Sequence, residues 1–175
     1  NFTLMNMEDL KSCDINRIIN IFVYQQPSIL QSLCGVMVRT VARLVDYHVY
    51  IKSPYEIKEL PYQFLSMQEL NGQHKILTAI SGSSDAMKEA AIGFAGEQYI
   101  ENEEDALDAL CELVNCVNGL LATEMGTKNI ELDMEVTHYY LEKGTLRANS
   151  LFCLPVMIRG LEVDMIMAID QEYSL

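Results

Sequence analysis

Residues 103–123 read EEDALDALCELVNCVNGLLAT, which has the period of one amphipathic helix. At about 100° per residue, Ala106, Ala109, Leu110, Leu113, Val114, Val117, Leu120 and Leu121 fall on one broad apolar arc. Opposite them, within roughly 60°, stand Asp108, Glu112, Asn115 and Gly119. Asn102 is placed to cap this helix, and Glu103, Glu104 and Asp105 put negative charge on its first turn. A solvated face needs polar residues, and that is the plain reading of the stripe. Its composition argues for more. Asn and Gly are poor helix formers, Gly costing roughly 1 kcal/mol relative to Ala, and Lys, Gln or further Glu would serve solubility better.

Length and composition bound the surroundings of this helix. A chain of 175 residues is long enough for one domain with a substantial core. Hydrophobic residues make up 50% and charged ones 21%, as in a globular chain rather than a disordered one. The longest apolar runs are broken by Arg, Asp or Gly before the ~18 residues a membrane span needs. No N-terminal stretch has the basic-then-apolar pattern of a signal peptide. A cytoplasmic protein is therefore expected. The net charge of −13, with Lys and Arg scattered, argues against nucleic acid and against an anionic membrane surface as partners. Cys13, Cys34, Cys111, Cys116 and Cys153 are odd in number, form no CxxC and mostly sit in apolar segments, so they read as small buried hydrophobes. His48, His74 and His138 lie far apart in the chain, and no metal site is signalled.

Working outward from the helix, residues 129–136 alternate Ile130, Leu132, Met134 and Val136 against Glu131, Asp133 and Glu135. That pattern predicts a strand with one face on a core and one in water. Leu151 to Ile158 and Leu161 to Ile169 predict a hairpin turning at Arg159-Gly160. On the N-terminal side, Ser81-Gly82-Ser83-Ser84 caps a shorter helix running to Phe94, with exits marked by Gly93 and Gly96. Before it, Tyr62 to Leu70 and Gln73 to Ile80 flank Asn71-Gly72, the preferred two-residue hairpin turn. Pro27 opens a helix to about Val45 that is apolar around most of its circumference, with Gln31, Gly35, Arg39 and Arg43 as a narrow polar stripe. Tyr47 to Ile51 reads as a strand and Lys52 to Leu60 as a polar connection.

The order helix then strands occurs twice, which amounts to a pseudo-duplication without repeated letters. Hairpins require antiparallel pairing, so the expected class is α+β, a mainly antiparallel sheet covered by long helices. Residues 27–175 form this domain. Residues 1–26 are a separate segment in which Asp14 is placed to cap a short helix through Ile15, Ile18, Ile19 and Phe22. An arm packed on the domain and the tail of a preceding domain both fit it. The chain starts at Asn1 rather than Met, as a piece cut from something longer would.

Common catalytic signatures are missing: there is no GxSxG, no phosphate-cradling glycine loop and no HExxH. What the sequence offers is Glu112 and Asn115, three residues apart and so roughly 5–6 Å apart at Cβ on a helix. Asp108 lies one turn before and Gly119 one turn after. Both side chains of the pair are expected to point into solvent. Asp108-xxx-Glu112-xx-Asn115-xxx-Gly119 on an exposed helix resembles the signature of the CheC/CheX chemotaxis phosphatases. The resemblance extends to the order of elements from Pro27 to the C-terminus.

That resemblance implies a substrate, the phosphoaspartate of a CheY-like response regulator. It implies that Asn115 orients the attacking water and that Glu112 pairs with the regulator's active-site Lys. Asp108 and Gly119 would border the docked partner, Gly119 by letting its backbone approach closely. No cofactor is expected in this chain, because the Mg²⁺ would sit on the regulator. The helix from Pro27, the counterpart in the other half, has no Glu-xx-Asn, and one site rather than two is the CheX pattern. CheX-like members are typically homodimers, so a homodimer is expected. The family pattern has a proline where this chain has His138. That departure leaves room for a different reading, an inactive binding or sensor module of the same architecture, akin to the flagellar switch proteins.

Overall fold

A strand that is apolar on both faces has to be covered twice. Residues 76–82 form such a strand: Ile76 and Ile80 face one way, Leu77 and Ala79 the other, and all four are buried. The rest of the molecule follows from that requirement. The computed structural model describes Val23 and residues 26–175. Its elements are α1 (Ser28–Leu44), β1 (Tyr50–Ile51), β2 (Tyr55–Tyr62), β3 (Phe64–Gly72), β4 (Ile76–Gly82), α2 (Ser84–Ala95), α3 (Glu103–Gly126), β5 (Leu132–Met134), β6 (His138–Tyr140), β7 (Gly144–Ile158), β8 (Leu161–Ile169) and β9 (Tyr173–Ser174). A short 3₁₀ turn, Glu97–Tyr99, links α2 to α3. The strands form one antiparallel sheet in the order β1-β7-β8-β4-β3-β5, with β2 and β9 also paired to β7 and β6 to β3.

The three α-helices of the described residues cover one face. Leu33, Met37 and Val41 of α1, Met87 and Ala90 of α2, and Leu110, Leu113 and Leu121 of α3 pack on Leu70, Ile76, Ile80, Met165 and Met167. The opposite face buries a second cluster, Leu65, Met67, Leu77, Ala79, Leu146, Leu151 and Ile166, joined by Leu60 and Tyr62 of β2. Curling of the sheet closes this second core. Tyr62 on β2 and Tyr140 on β6, from opposite ends of the strand order, bring their ring centroids within 6.4 Å. Across the same opening the Tyr173 hydroxyl donates to the Glu69 carboxylate.

The doubling read from the sequence is visible in the pairing. The β3–β4 and β7–β8 hairpins meet through β4 and β8, from Ile76 opposite Ile169 to Gly82 opposite Val163. Arg159 and Gly160 make the second hairpin's turn with φ of 49° and 85°, values that suit a glycine-containing two-residue turn. α2 starts as expected, with the Ser83 hydroxyl accepting from the Ala86 N–H, and Gly96 ends it with φ of 97°.

Three expectations are corrected. Lys52 to Leu60 is not a connection, because most of it belongs to β2, paired to β7. Its pattern is disguised by a bulge between Ile57 and Glu59 and by the charges that suit an edge strand. Asn71 and Gly72 do not form the turn; they continue β3 and pair with Asp133 and Leu132 of β5. The chain reverses at residues 73–75, where the Asp170 carboxylate accepts from the Lys75 N–H at 3.0 Å and lies 2.8 Å from the His74 ring. The alternating run 129–136 yields only the three residues of β5, and Met134 and Val136 are exposed. At Glu135 the N–H still donates to the Glu69 carbonyl of β3 at 2.9 Å, while its own carbonyl accepts from a side chain on β3. The short helix expected after Asp14 lies outside the described residues, apart from Val23, which is buried in the first core.

Gly72 is needed for the approach of β5. Its φ is 143°, and a Cβ there would stand 2.3 Å from the Glu131 carbonyl oxygen. Gly72→Ala is expected to destabilise the fold by roughly 1–3 kcal/mol, read as a lower denaturation midpoint. An unchanged midpoint would mean that β5 does not lie against β3 as described.

Candidate functional site

α3 is held at both ends. At its start Asn102 and Asp105 form a reciprocal capping box: the Asp105 N–H donates to the Asn102 side chain at 3.0 Å, and the Asn102 N–H to the Asp105 carboxylate at 3.2 Å. The Tyr139 hydroxyl donates to Glu104 at 2.7 Å, tying β6 to the first turn. At the other end, Arg39 of α1 lies 3.6 Å from Glu124, and Lys128 lies 3.2 Å from the same carboxylate. Burial pushes the Glu124 carboxyl up, but the Ser32 hydroxyl, Lys128 and Arg39 outweigh it and hold it below the usual range. The polar stripe of α1, the positional counterpart of the α3 face, is thus engaged with the end of α3.

Between these anchors the outer face of α3 is open. Asp108 and Glu112 are exposed, and Asn115 and Gly119 are half-buried, so the structure brings the four residues together on one stripe. Neither Asp108 nor Glu112 has an ion-pair partner among the described residues. At Gly119 an added Cβ would meet only the Met134 sulfur, at an ordinary 3.9 Å. At Gly93 of α2, by contrast, it would stand 2.7 Å from the Val45 carbonyl oxygen. Packing among the described residues therefore explains Gly93 and leaves Gly119 unexplained. Cys116 is exposed on the same side, one turn after Glu112, and Leu120, expected on the apolar arc, is 53% exposed. Leu120 borders a groove of about 380 Å³ between α1 and α3 that Arg39, Arg43 and Leu44 also line.

Asn115 departs from the expectation that both side chains point into solvent. Its amide oxygen accepts from Gln68 Nε2 of β3 at 2.9 Å. Gln68 is 2% exposed; its Nε2 also donates to the Glu135 carbonyl at 2.7 Å, and its Oε1 accepts from Asn118 Nδ2 at 2.9 Å. Asn118 is fully buried, and its own amide oxygen has no partner among the described residues. Sequence reading missed both Gln68 and Asn118. The available signal was an Asn on the boundary of the apolar arc of α3, where Lys or Glu would be ordinary. His138, in the place of the family proline, is exposed on β6 opposite Met67.

By length and composition alone α3 is long and apolar enough for a membrane span, yet half of its most apolar stretch is buried inside the fold. Its apolarity belongs to the core of the domain. Among the described residues no group of three or more His, Cys, Asp or Glu is placed to hold a metal ion.

The family model described as chemotaxis phosphatase CheX matches residues 64–151, half of the chain, and this span contains β3, α3 and every residue of the stripe. Among solved structures, a chemotaxis protein from Desulfovibrio vulgaris Hildenborough superposes with a TM-score of 0.69 at 11% identity, covering 82% of this chain and 97% of its own. CheX from Vibrio vulnificus gives 0.68 at 14% identity, over 82% and 99%. The CheX-CheY-BeF3-Mg²⁺ complex from Borrelia burgdorferi gives 0.60 at 16% identity, over 81% and 97%. At these identities the likeness is one of fold. No curated protein sequence matches the chain.

The openness of this face can be read chemically. Burial pushes the Cys34 and Cys153 thiols up to about 12 and raises Cys111 as well, whereas Cys116 is exposed. An alkylating reagent applied to the native protein is expected to label Cys116 at least roughly 100-fold faster than these three, as followed by peptide mass spectrometry. Comparable labelling of Cys111 would mean that the inner side of α3 is not packed on the sheet.

Proposed function

The chain belongs to the CheX family of chemotaxis phosphatases, and from that premise we propose that it hydrolyses the aspartyl phosphate of a CheY-like response regulator through Glu112 and Asn115. The observation that carries the reading is the outward stripe of α3: an exposed carboxylate and a half-buried amide three residues apart, with a glycine one turn on that packing among the described residues does not require. The CheX of the Borrelia burgdorferi complex is bound to a CheY with BeF3 and Mg²⁺, which supports a regulator of that kind as the partner here.

Phosphoryl transfer usually passes through a loose transition state, so the nucleophile needs placing more than it needs deprotonating. A docked helix can do this with one amide, which offers hydrogen-bond donors and an acceptor. In the proposed reaction Asn115 holds a water in line behind the phosphorus. The water oxygen bonds to phosphorus as the bond to the aspartyl oxygen breaks, and the electron pair leaves with the regulator's carboxylate. Glu112 pairs with the regulator's active-site Lys and fixes the angle of approach, and positioning supplies the rate. Asp108 borders the contact, and Gly119 lets the partner's backbone come close. The Mg²⁺ that neutralises phosphate charge would be held by the regulator. The same reading makes the protein a cytoplasmic homodimer, as family membership suggests.

Asn115→Ala is expected to lower dephosphorylation of a phosphorylated CheY-type regulator roughly 10²–10³-fold, the worth of one preorganised hydrogen-bonding group. Its half-buried site is open enough for water to replace the lost bond, so stability should fall by about 1 kcal/mol or less. Glu112→Ala should act mainly through KM, with the loss shrinking at saturating regulator, and should leave stability within about 0.5 kcal/mol. Phosphate release measured beside thermal denaturation tests both. Wild-type protein that binds the regulator without accelerating phosphate loss would identify a binding module instead.

A further inference from the structure

Asn115 is gripped from behind, and the grip has a direction. A side-chain amide can turn about its last torsion with little preference between its two ends, so a lone Asn on a helix would offer oxygen or nitrogen to a partner at random. Here a backbone group decides. The Glu135 carbonyl can only accept, and it lies 2.7 Å from the end of the Gln68 amide, so that end is the nitrogen. The same nitrogen faces Asn115 at 2.9 Å, which makes the Asn115 atom turned inward its oxygen. The other end of Gln68 is then an acceptor, matched by the Asn118 nitrogen at 2.9 Å. One backbone carbonyl thus sets the polarity of three hydrogen-bonded amides, and leaves the Asn115 NH₂ group as the end not bonded to Gln68.

We propose that Gln68 is the positioning residue of this site, holding Asn115 by its carbonyl oxygen so that both of its N–H donors face the docked phosphoryl group. Asn118 keeps Gln68 from rotating. The burial of these two amides supports a role beyond packing. Gln68 and Asn118 are 2% and 0% exposed, and the Asn118 oxygen is left without a partner among the described residues, a penalty that a Leu in its place would avoid. With its NH₂ outward, Asn115 donates to the attacking water and leaves that water's second lone pair free for phosphorus.

The proposal rests on the phosphatase reading for its consequence and on the amides alone for its geometry, so two readouts separate them. In the isolated chain, the side-chain amide protons of Gln68 and Asn118 should exchange slowly with solvent and those of Asn115 quickly. Gln68→Met should shift the Asn115 amide resonances toward those of a free side chain. With a CheY-type regulator phosphorylated by acetyl phosphate, Gln68→Met should lower kcat roughly 5–20-fold, the worth of one neutral hydrogen bond, with KM changed less than about twofold. In an Asn115→Ala background the same substitution should lower the rate no further. If Gln68→Met does not fold, Asn118→Leu removes the brace on Gln68 while leaving Gln68 and Asn115 in place, and is expected to show a loss in kcat in the same direction and the same non-additivity with Asn115→Ala. Unmoved Asn115 resonances, or equal losses in both backgrounds, would overturn the proposal. Wild-type protein inert toward the regulator would overturn the phosphatase reading, and the amide resonances would still decide the positioning.

Discussion

The constraint on which this structure depends is a sheet whose central strands are apolar on both faces. β4 and β8 bury Ile76, Ile80, Met165 and Met167 on one side and Leu77, Ala79 and Ile166 on the other. Neither face can be left to water. Three helices take the first, and the second is closed by the sheet itself as Tyr62 and Tyr140 approach from its two ends. This division of labour places α3. It is pressed on the sheet along one side and anchored at both ends, and its outer stripe keeps Asp108 and Glu112 exposed and Asn115 and Gly119 half-buried beside β5. A helix held so firmly is a rigid mount for two side chains.

The two halves of the doubled architecture use equivalent positions differently. On α3 the stripe is open, with a carboxylate, an amide and a glycine that packing among the described residues does not demand. On α1 the corresponding stripe carries Arg39, which lies against Glu124 near the end of α3. Lys128, just beyond α3, reaches Ser32 at 3.1 Å. One stripe therefore fastens the helix layer together and the other is free for a partner. Surface pairs of this kind are individually worth about 1 kcal/mol or less. Their consequence here is the orientation of α3 relative to α1.

The two candidate side chains also stand in different dielectric surroundings. Glu112 is exposed, so its charge is screened by water, and any ion pair it made would become strong only where docking removes that water. Asn115 is half-buried and already hydrogen-bonded from beneath, so it loses little freedom when a partner arrives. The chain's net charge of −13 adds long-range repulsion toward a phosphorylated, acidic surface. Close complementarity at the stripe, rather than steering from a distance, then has to supply recognition.

Much of this was legible in the order of residues. The period of 103–123, the Ser83 cap, the Arg159-Gly160 turn and the twofold order of helix and strands all report on neighbours within a few positions, and local sterics and hydrogen bonding decide those. The stripe of Asp108, Glu112, Asn115 and Gly119 was legible for the same reason, since helical geometry alone puts them on one face. What period could not tell was which residues would lie opposite. β2 was hidden by a bulge and by edge charges, because pairing with β7 about ninety positions away made it a strand. Gly72 looked like a turn residue until β5 was laid against it. Gln68 lies 47 positions from Asn115 and 67 from Glu135. Nothing local marks a glutamine in a buried strand as the hydrogen-bond partner of an asparagine on a helix, because the partners of an amide are whichever donors and acceptors the fold brings to it.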